Sequence, residues 1–179
     1  MKVTTIDLIQ STKNYINYLE THLNNIVLSY IYLSEICSDF DVIKDKKLRK
    51  SLKDSVMIHD LSKLSKDEFC QYRQFWHTSK NEEKNKDEFQ KAWGNHKEKN
   101  HHHWEYIKKY NVFLDDEAKL NLFHMIIDWT AMSMYYGDSP SEYYKKMRKQ
   151  IDFPKEHEDY IVEIMQRIND NNKYNFKSK

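Results

Sequence analysis

The chain has 179 residues, 29 basic and 28 acidic side chains, and a formal net charge of +1. That length suffices for one domain with a sizeable core, and the balanced charge supplies no global field toward nucleic acid or membrane surfaces. Two glycines and two prolines leave few turns and helix breakers, while 13 Tyr, 8 Phe and 4 Trp exclude a disordered chain. The expected fold class is all-α: one compact helical domain of about six to seven helices over residues 1–170, followed by a polar tail over 171–179.

In chain order, Thr4–Asp7 can cap a first helix running to about Ser38, with Ile9, Ile16, Leu19, Leu23, Ile26, Val27, Tyr30 and Leu33 at helical spacing. A turn at Asp39–Asp41 leads to a second helix over about 43–58. Within it the basic run KDKKLRKSLK (Lys44–Lys53) reads as a solvated helix face rather than a nucleic-acid surface. Ser65-Lys66-Asp67-Glu68 has the form of a capping box and predicts a third helix through about His77. The polar stretch 78–87 is expected to be exposed, as a linker or a lid. A fourth helix is expected over about 86–98, with a break at NHHHW (Asn100–Trp104). Asp115-Asp116-Glu117 opens a fifth that Gly137 ends. Ser139-Pro140 begins a sixth and Pro154 a seventh, reaching about Asn169.

Cys37 and Cys70 show no metal-ligand spacing and read as two reduced, buried thiols. Asp7 interrupts the only apolar stretch near the start, and no run of 18 apolar residues exists, so no signal peptide and no membrane span are expected and the cytoplasm is the expected location.

Nine histidines are the unusual count. The apolar run Val56-Met57-Ile58 ends in His59-Asp60, with Leu61 expected to pack inward and Lys63 following. Neutral imidazole and ionised carboxylate both suit divalent cations; capping by Asp60 with an exposed His59 is the alternative. His22 lies beside the apolar stripe of the first helix, as a core histidine or a ligand. Asp128 is surrounded in sequence by Met125, Ile126, Ile127, Trp129 and Met132, so it must be protonated, ion-paired or coordinating. His96, His101, His102 and His103 form the densest cluster. Consecutive histidines on a helix point about 100° apart and cannot all serve one ion, and a break near Asn100 is needed for His96 and His103 to converge.

The order His22, His59-Asp60, a histidine cluster, then Asp128 resembles the HD-domain superfamily of metal-dependent phosphohydrolases, which is all-helical. The resemblance implies a metal held by His22, His59, Asp60 and Asp128, with His96 and one or both of His102 and His103 serving a second ion. HDLSK (His59–Lys63) also resembles the HDxGK signature of cyclic-dinucleotide phosphodiesterases and an inositol oxygenase, with Ser62 in place of glycine. It implies that Lys63 contacts a substrate phosphate or hydroxyl. The Gly-Tyr-Pro element of the cyclic-dinucleotide enzymes does not follow His102-His103. The series HDLSK, EFCQY, FQKAWGNH, NHHHWEY, DWTAM and SEYY, over roughly residues 20–150, is similar to a family of uncharacterised proteins common in bacteriophages and their bacterial hosts.

These features imply a metal-dependent phosphohydrolase acting on a nucleotide or small phosphoester, such as a host or signalling nucleotide in a phage setting. One or two ions of Mn, Fe, Co, Ni or Zn, with Mg as a further option, would activate water. Lys63 would offset phosphoryl charge, a non-ligating cluster histidine such as His101 would protonate the leaving group, and Trp104 would stack on a base or simply pack. A di-iron oxygenase of similar fold and a non-catalytic nucleotide-binding protein are the alternatives.

Overall fold

The computed structural model describes residues 2–171. Among these, nine α-helices and one 3-10 turn follow in order: α1 (Thr5–Ile36), α2 (Asp41–Lys44), α3 (Lys46–Met57), the 3-10 turn (Leu61–Leu64), α4 (Phe69–Trp76), α5 (Lys86–Lys99), α6 (Trp104–Tyr110), α7 (Asp116–Tyr136), α8 (Pro140–Ile151) and α9 (Lys155–Asp170). No strand occurs among the described residues, so the all-α expectation holds. No described helix is long and apolar enough to cross a membrane. The expected polar tail lies outside the described residues except for Asn171, the C-cap of α9.

The chain clusters into two compact units. Unit 1 comprises the residues up to Leu23 and Asp60–Asn100; unit 2 comprises Asn24–His59 and the residues from His101 onward.

Unit 1 is built on the first part of α1, the 3-10 turn, α4 and α5. Thr4 accepts from the Asp7 backbone and donates to its carboxylate (2.7 Å), closing the first turn of α1. Ser11, Tyr15, Leu19 and His22 are buried at spacings of three and four, so they share one face of the helix. Tyr15 and Leu19 pack with Tyr72 of α4 and Phe89 and Ala92 of α5, flanked by Tyr18, Phe69, Phe75 and Trp93. Asn85 caps α5 through the Glu88 backbone (3.1 Å). The polar stretch before α5 is tied down: Arg73 forks onto the Glu82 carboxylate and reaches Ser11 Oγ, and Ser79 donates to Glu82 from both backbone and side chain (2.9 Å each).

Unit 2 is organised around α7, which touches α2, α3, α6, α8 and α9. Asp115 caps it by accepting from Ala118 N (2.9 Å), and Gly137, at φ 76°, ends it in the left-handed conformation that glycine adopts without penalty. Leu122, Phe123, Ile126 and Ile127 are fully buried, each worth about 1.5–3 kcal/mol on transfer from water. The expected second helix is divided at Asp45, whose side chain accepts from Lys47 N and Leu48 N (2.8 Å each) and starts α3 afresh. The basic run is a solvated face: Leu52 and Val56 are the buried residues of α3. NHHHW leads into a short extra helix, α6. Ser139 and Glu142 form a full capping box at α8.

Two expectations are corrected, and the apolar run before His59 is mostly exposed. Met57 and Ile58 are exposed (66 % and 62 %), because α3 ends there and Val56 is its last inward position. Leu61 is 60 % exposed rather than packed inward. Cys70 is exposed; Cys37 is buried, and burial pushes its thiol up to about 12.

The Arg73 fork, working against the opposing effect of burial, holds Glu82 well below its ordinary value, at about 2, with Ser79 assisting. A depressed carboxylate contributes stability above its unfolded value, and that stability is lost as pH falls toward the folded value. Glu82→Gln should therefore lower the urea midpoint at pH 7 and flatten its decline between about pH 4.5 and 2. An unchanged pH profile would show that this clamp contributes nothing.

Candidate metal centre

In unit 1, α3 has ended and the backbone turns sharply. Asp60 sits in the left-handed region (φ 56°, ψ 21°) and opens the 3-10 turn. An L-residue pays about 1–2 kcal/mol for that conformation, less for Asp, whose short polar side chain tolerates it. The turn buries the Asp60 carboxylate among three cationic or ligating groups. Lys63 Nζ lies 2.5 Å from Oδ2, His22 Nε2 3.6 Å from Oδ2, and His96 Nε2 3.1 Å from Oδ1. All four residues are buried. Lys63 is thus held by Asp60 here, a partner the sequence did not suggest.

His96 is oriented from behind. Its Nδ1 lies 2.8 Å from Glu68 Oε2, and Glu68 is fully buried, accepting also from Ser62 Oγ (2.8 Å) and Asn95 Nδ2 (2.8 Å). A carboxylate at Nδ1 fixes the tautomer that leaves Nε2 as the ligating atom, which is the usual support of a metal-bound histidine. Asn100 caps this arrangement by donating to Ser62 Oγ and to His96 O (2.8 Å each). Two atoms bound to one ion at about 2.1 Å stand roughly 3.0–3.4 Å apart in octahedral or tetrahedral geometry. The His96–Asp60 distance of 3.1 Å matches this, and the His22–Asp60 distance of 3.6 Å needs only a small closing movement.

Burial works against protonation of His96 and is the largest single influence, yet its hydrogen bonds to Asp60 and Glu68 together raise its pKa above the ordinary 6.5.

In unit 2, His59, His102 and His124 are buried, and each offers a ring nitrogen within 4.8 Å of the other two. The His59 and His102 rings stack at 4.4 Å, and His102 lies 4.7 Å from His124. His124 Nε2 is 3.0 Å from His59 Nδ1, while its Nδ1 meets Ser55 Oγ at 2.6 Å. His59 Nε2 is 3.7 Å from Asp128 Oδ1. Asp128 is partly buried, with 16 % of its side chain exposed. Buried His and Asp groups in this protein can therefore hold a metal ion, and the His-and-carboxylate chemistry fits a divalent one.

The candidates from sequence thus divide by unit. His22, Asp60, Lys63 and His96 meet in unit 1; His59, His102 and Asp128 meet in unit 2. His103 stands at the start of α6, partly buried, its ring 4.5 Å from that of His102. His101 is exposed, and its ring stacks on that of Tyr106 (4.0 Å). Trp104 packs against the unit 2 core. Two site residues escaped the sequence reading. Glu68 looked like the end of a capping box, but its side chain turns to His96 and makes no cap hydrogen bond. His124 lies four residues before Asp128 on α7, a same-face spacing that offered a signal.

An all-helical protein with buried histidine–carboxylate clusters of metal-ligand type is the class these observations define. The chain belongs to DUF5662, a family of unknown function, whose model matches residues 11–173. No curated protein and no solved structure matches the chain.

Glu68→Gln should weaken Co²⁺ or Zn²⁺ affinity about 10–100-fold in competition with a chromogenic chelator, whereas Glu82→Gln should leave it unchanged. Ligation needs a neutral ring, so the raised His96 pKa makes protons compete from above pH 6.5 downward. In the metal-free protein the sign reverses. The stability from His96 is full below about pH 6.5 and is lost as pH rises through its raised value. Equal chelator competition by Glu68→Gln and the unmodified protein would remove His96 from the ligand set.

Proposed function

We propose that this protein is a metal-dependent phosphohydrolase acting on a nucleotide or small phosphoester, with an HD-like ligand scheme. The observation that carries the reading is the buried Asp60 carboxylate, which faces two histidine Nε2 atoms and the Lys63 ammonium at once. A ligand set alone describes any metal site; a buried lysine beside it adds a cation suited to a phosphoryl group. The order of His22, His59-Asp60 and Asp128, and the HDLSK segment, support the same reading.

A divalent cation held by these residues would supply Lewis acidity and a water of lowered pKa. Imidazole with carboxylate favours Mn, Fe, Co, Ni or Zn over Mg. Asp60 positions Lys63, so that the ammonium stays at hand and offsets charge on phosphoryl oxygens as the carboxylate takes up a metal. Glu68 keeps the His96 proton on Nδ1 and its Nε2 lone pair on the Asp60 side. The burial of His22, Asp60, Lys63 and His96 lowers the local dielectric and strengthens each of these interactions.

The three-imidazole group His59, His102 and His124 favours a second reading, a di-iron oxygenase, because imidazole suits iron as well as zinc. The two readings separate in one experiment. Protein reconstituted with Mn, Co, Zn or Fe is offered nucleoside monophosphates, cyclic nucleotides and bis(p-nitrophenyl) phosphate, with phosphate or nitrophenol release and oxygen uptake followed in parallel. Phosphoester cleavage that falls about 100-fold or more in Asp60→Asn is the expected result. Oxygen uptake with iron and no cleavage would transfer the assignment to the oxygenase. A metal-loaded protein that retains nucleotide and does neither would be a binding protein.

A further inference from the structure

The part of α1 that belongs to unit 1 has two distinct faces. One is the buried face of Ser11, Tyr15, Leu19 and His22. The other points outward: Ile6, Ile9, Ile16 and Leu23 are 78 %, 50 %, 41 % and 39 % exposed, and none of them joins a buried core cluster. With Lys13 and Glu20 they stand at spacings of three and four in strict alternation. At about 100° per residue these six positions form one stripe along the helix, roughly 130° around it from the buried face. Single exposed isoleucines are ordinary on a protein surface. A line of them is not ordinary on a chain whose mean hydropathy is −0.93. Isoleucine is also a poor choice for a solvated helix face, where unbranched or small side chains hold the helix better.

The two charges on the stripe say what covers it. Lys13 and Glu20 are exposed and have no ion-pair partner among the described residues. They flank Ile16, as Ile9 and Leu23 do one turn further out on either side. A second copy of α1 laid antiparallel, with its Ile16 against this one, brings Ile9 opposite Leu23 of the second copy. The same placement sets Lys13 within one residue's rise, about 1.5 Å along the axis, of Glu20 of the second copy. The two-fold axis makes both contacts twice. A parallel arrangement would set lysine against lysine and glutamate against glutamate, which repel. The stripe is therefore complementary to itself, in one direction only. Gln10 and Asn14, hydrogen-bonded to each other (3.0 Å), lie along one edge and supply the polar rim usual around an apolar contact.

We propose that this protein associates with a second copy of itself through α1, in an antiparallel two-fold contact centred on Ile16. The stripe from Ile6 to Leu23 is about 27 Å long. One pair of helices in contact over that length falls at the small end of specific interfaces, below about 1,200 Å² in total. The dimer is therefore weak and dissociates in the micromolar range. It uses the outward face of α1 and leaves the inward face, with His22, to the metal centre. The association stands independently of the phosphohydrolase reading.

The test is sedimentation equilibrium of the untagged, full-length protein in low-salt buffer, over a concentration series from about 1 to about 500 μM. The unmodified chain is compared with Ile16→Glu, Lys13→Glu, Glu20→Lys and the double variant Lys13→Glu/Glu20→Lys, each checked for folding by its circular dichroism melt. The expected result is a parent whose mass rises from monomer to dimer with concentration, and single variants whose dissociation constants are about tenfold or more higher. The double variant should return to the parent's value. An equal mixture of the Lys13→Glu and Glu20→Lys proteins should dimerise more tightly than either alone. A parent that stays monomeric throughout would overturn the proposal. A dimer of unchanged strength in Ile16→Glu and in both charge variants would overturn it as well, because the contact would then lie elsewhere on the surface. A dimer weakened by each single charge reversal and not restored in the double variant would overturn the antiparallel arrangement. Should Ile16→Glu fail to fold, the charge variants at the two exposed positions decide.

Discussion

The ion pair between the Lys63 ammonium and the Asp60 carboxylate, both buried, sets the terms for the rest of unit 1. Taking a carboxylate out of water is expensive unless opposite charge and further hydrogen bonds surround it. Here the surroundings are specific: Lys63 three residues on, His22 from the inward face of α1, and His96 from α5. The backbone bends to make this possible. α3 stops at Met57, and Asp60 takes a left-handed conformation before the 3-10 turn. A residue in the left-handed region that also faces candidate metal ligands is a feature often met at functional sites.

Behind Asp60 the support is polar and closed. Glu68 is fully buried, and its two oxygens meet Ser62, Asn95 and His96. Replacing such a network by apolar groups would cost little in stability, so its use is to fix one ring in one orientation. In unit 2 the same economy holds for His124, with Ser55 on one nitrogen and His59 on the other. Both clusters pre-orient imidazole rings before any ion arrives, which reduces the cost of binding one.

The fold was legible because local signals agreed with one another. Thr4, Asp115, Gly137 and the Ser139–Glu142 box lie at helix ends, where their side chains or backbone freedom complete the terminal hydrogen bonds, and those ends are within a residue or two of the expected ones. The division at Asp45 and the short α6 were not legible, since each depends on a single cap or on packing rather than on periodicity. Among the candidate ligands, His22, Asp60, Lys63 and His96 of unit 1 and His59 of unit 2 stood out as polar groups in apolar or signature contexts. Glu68 did not, because Ser-Lys-Asp-Glu satisfies a capping pattern as well as it satisfies a buried network, and only the tertiary fold chooses.

The central claim is that these buried histidines and carboxylates bind a divalent transition metal. Its most direct test is elemental analysis of untagged protein purified without chelator, beside His96→Ala and His124→Ala. The account predicts about one or two equivalents of Mn, Fe, Co, Ni or Zn in the parent and a reduced content in at least one variant. A parent that carries no metal, takes up none on incubation with Mn²⁺, Co²⁺ or Zn²⁺, and melts at the same temperature with and without them would contradict it.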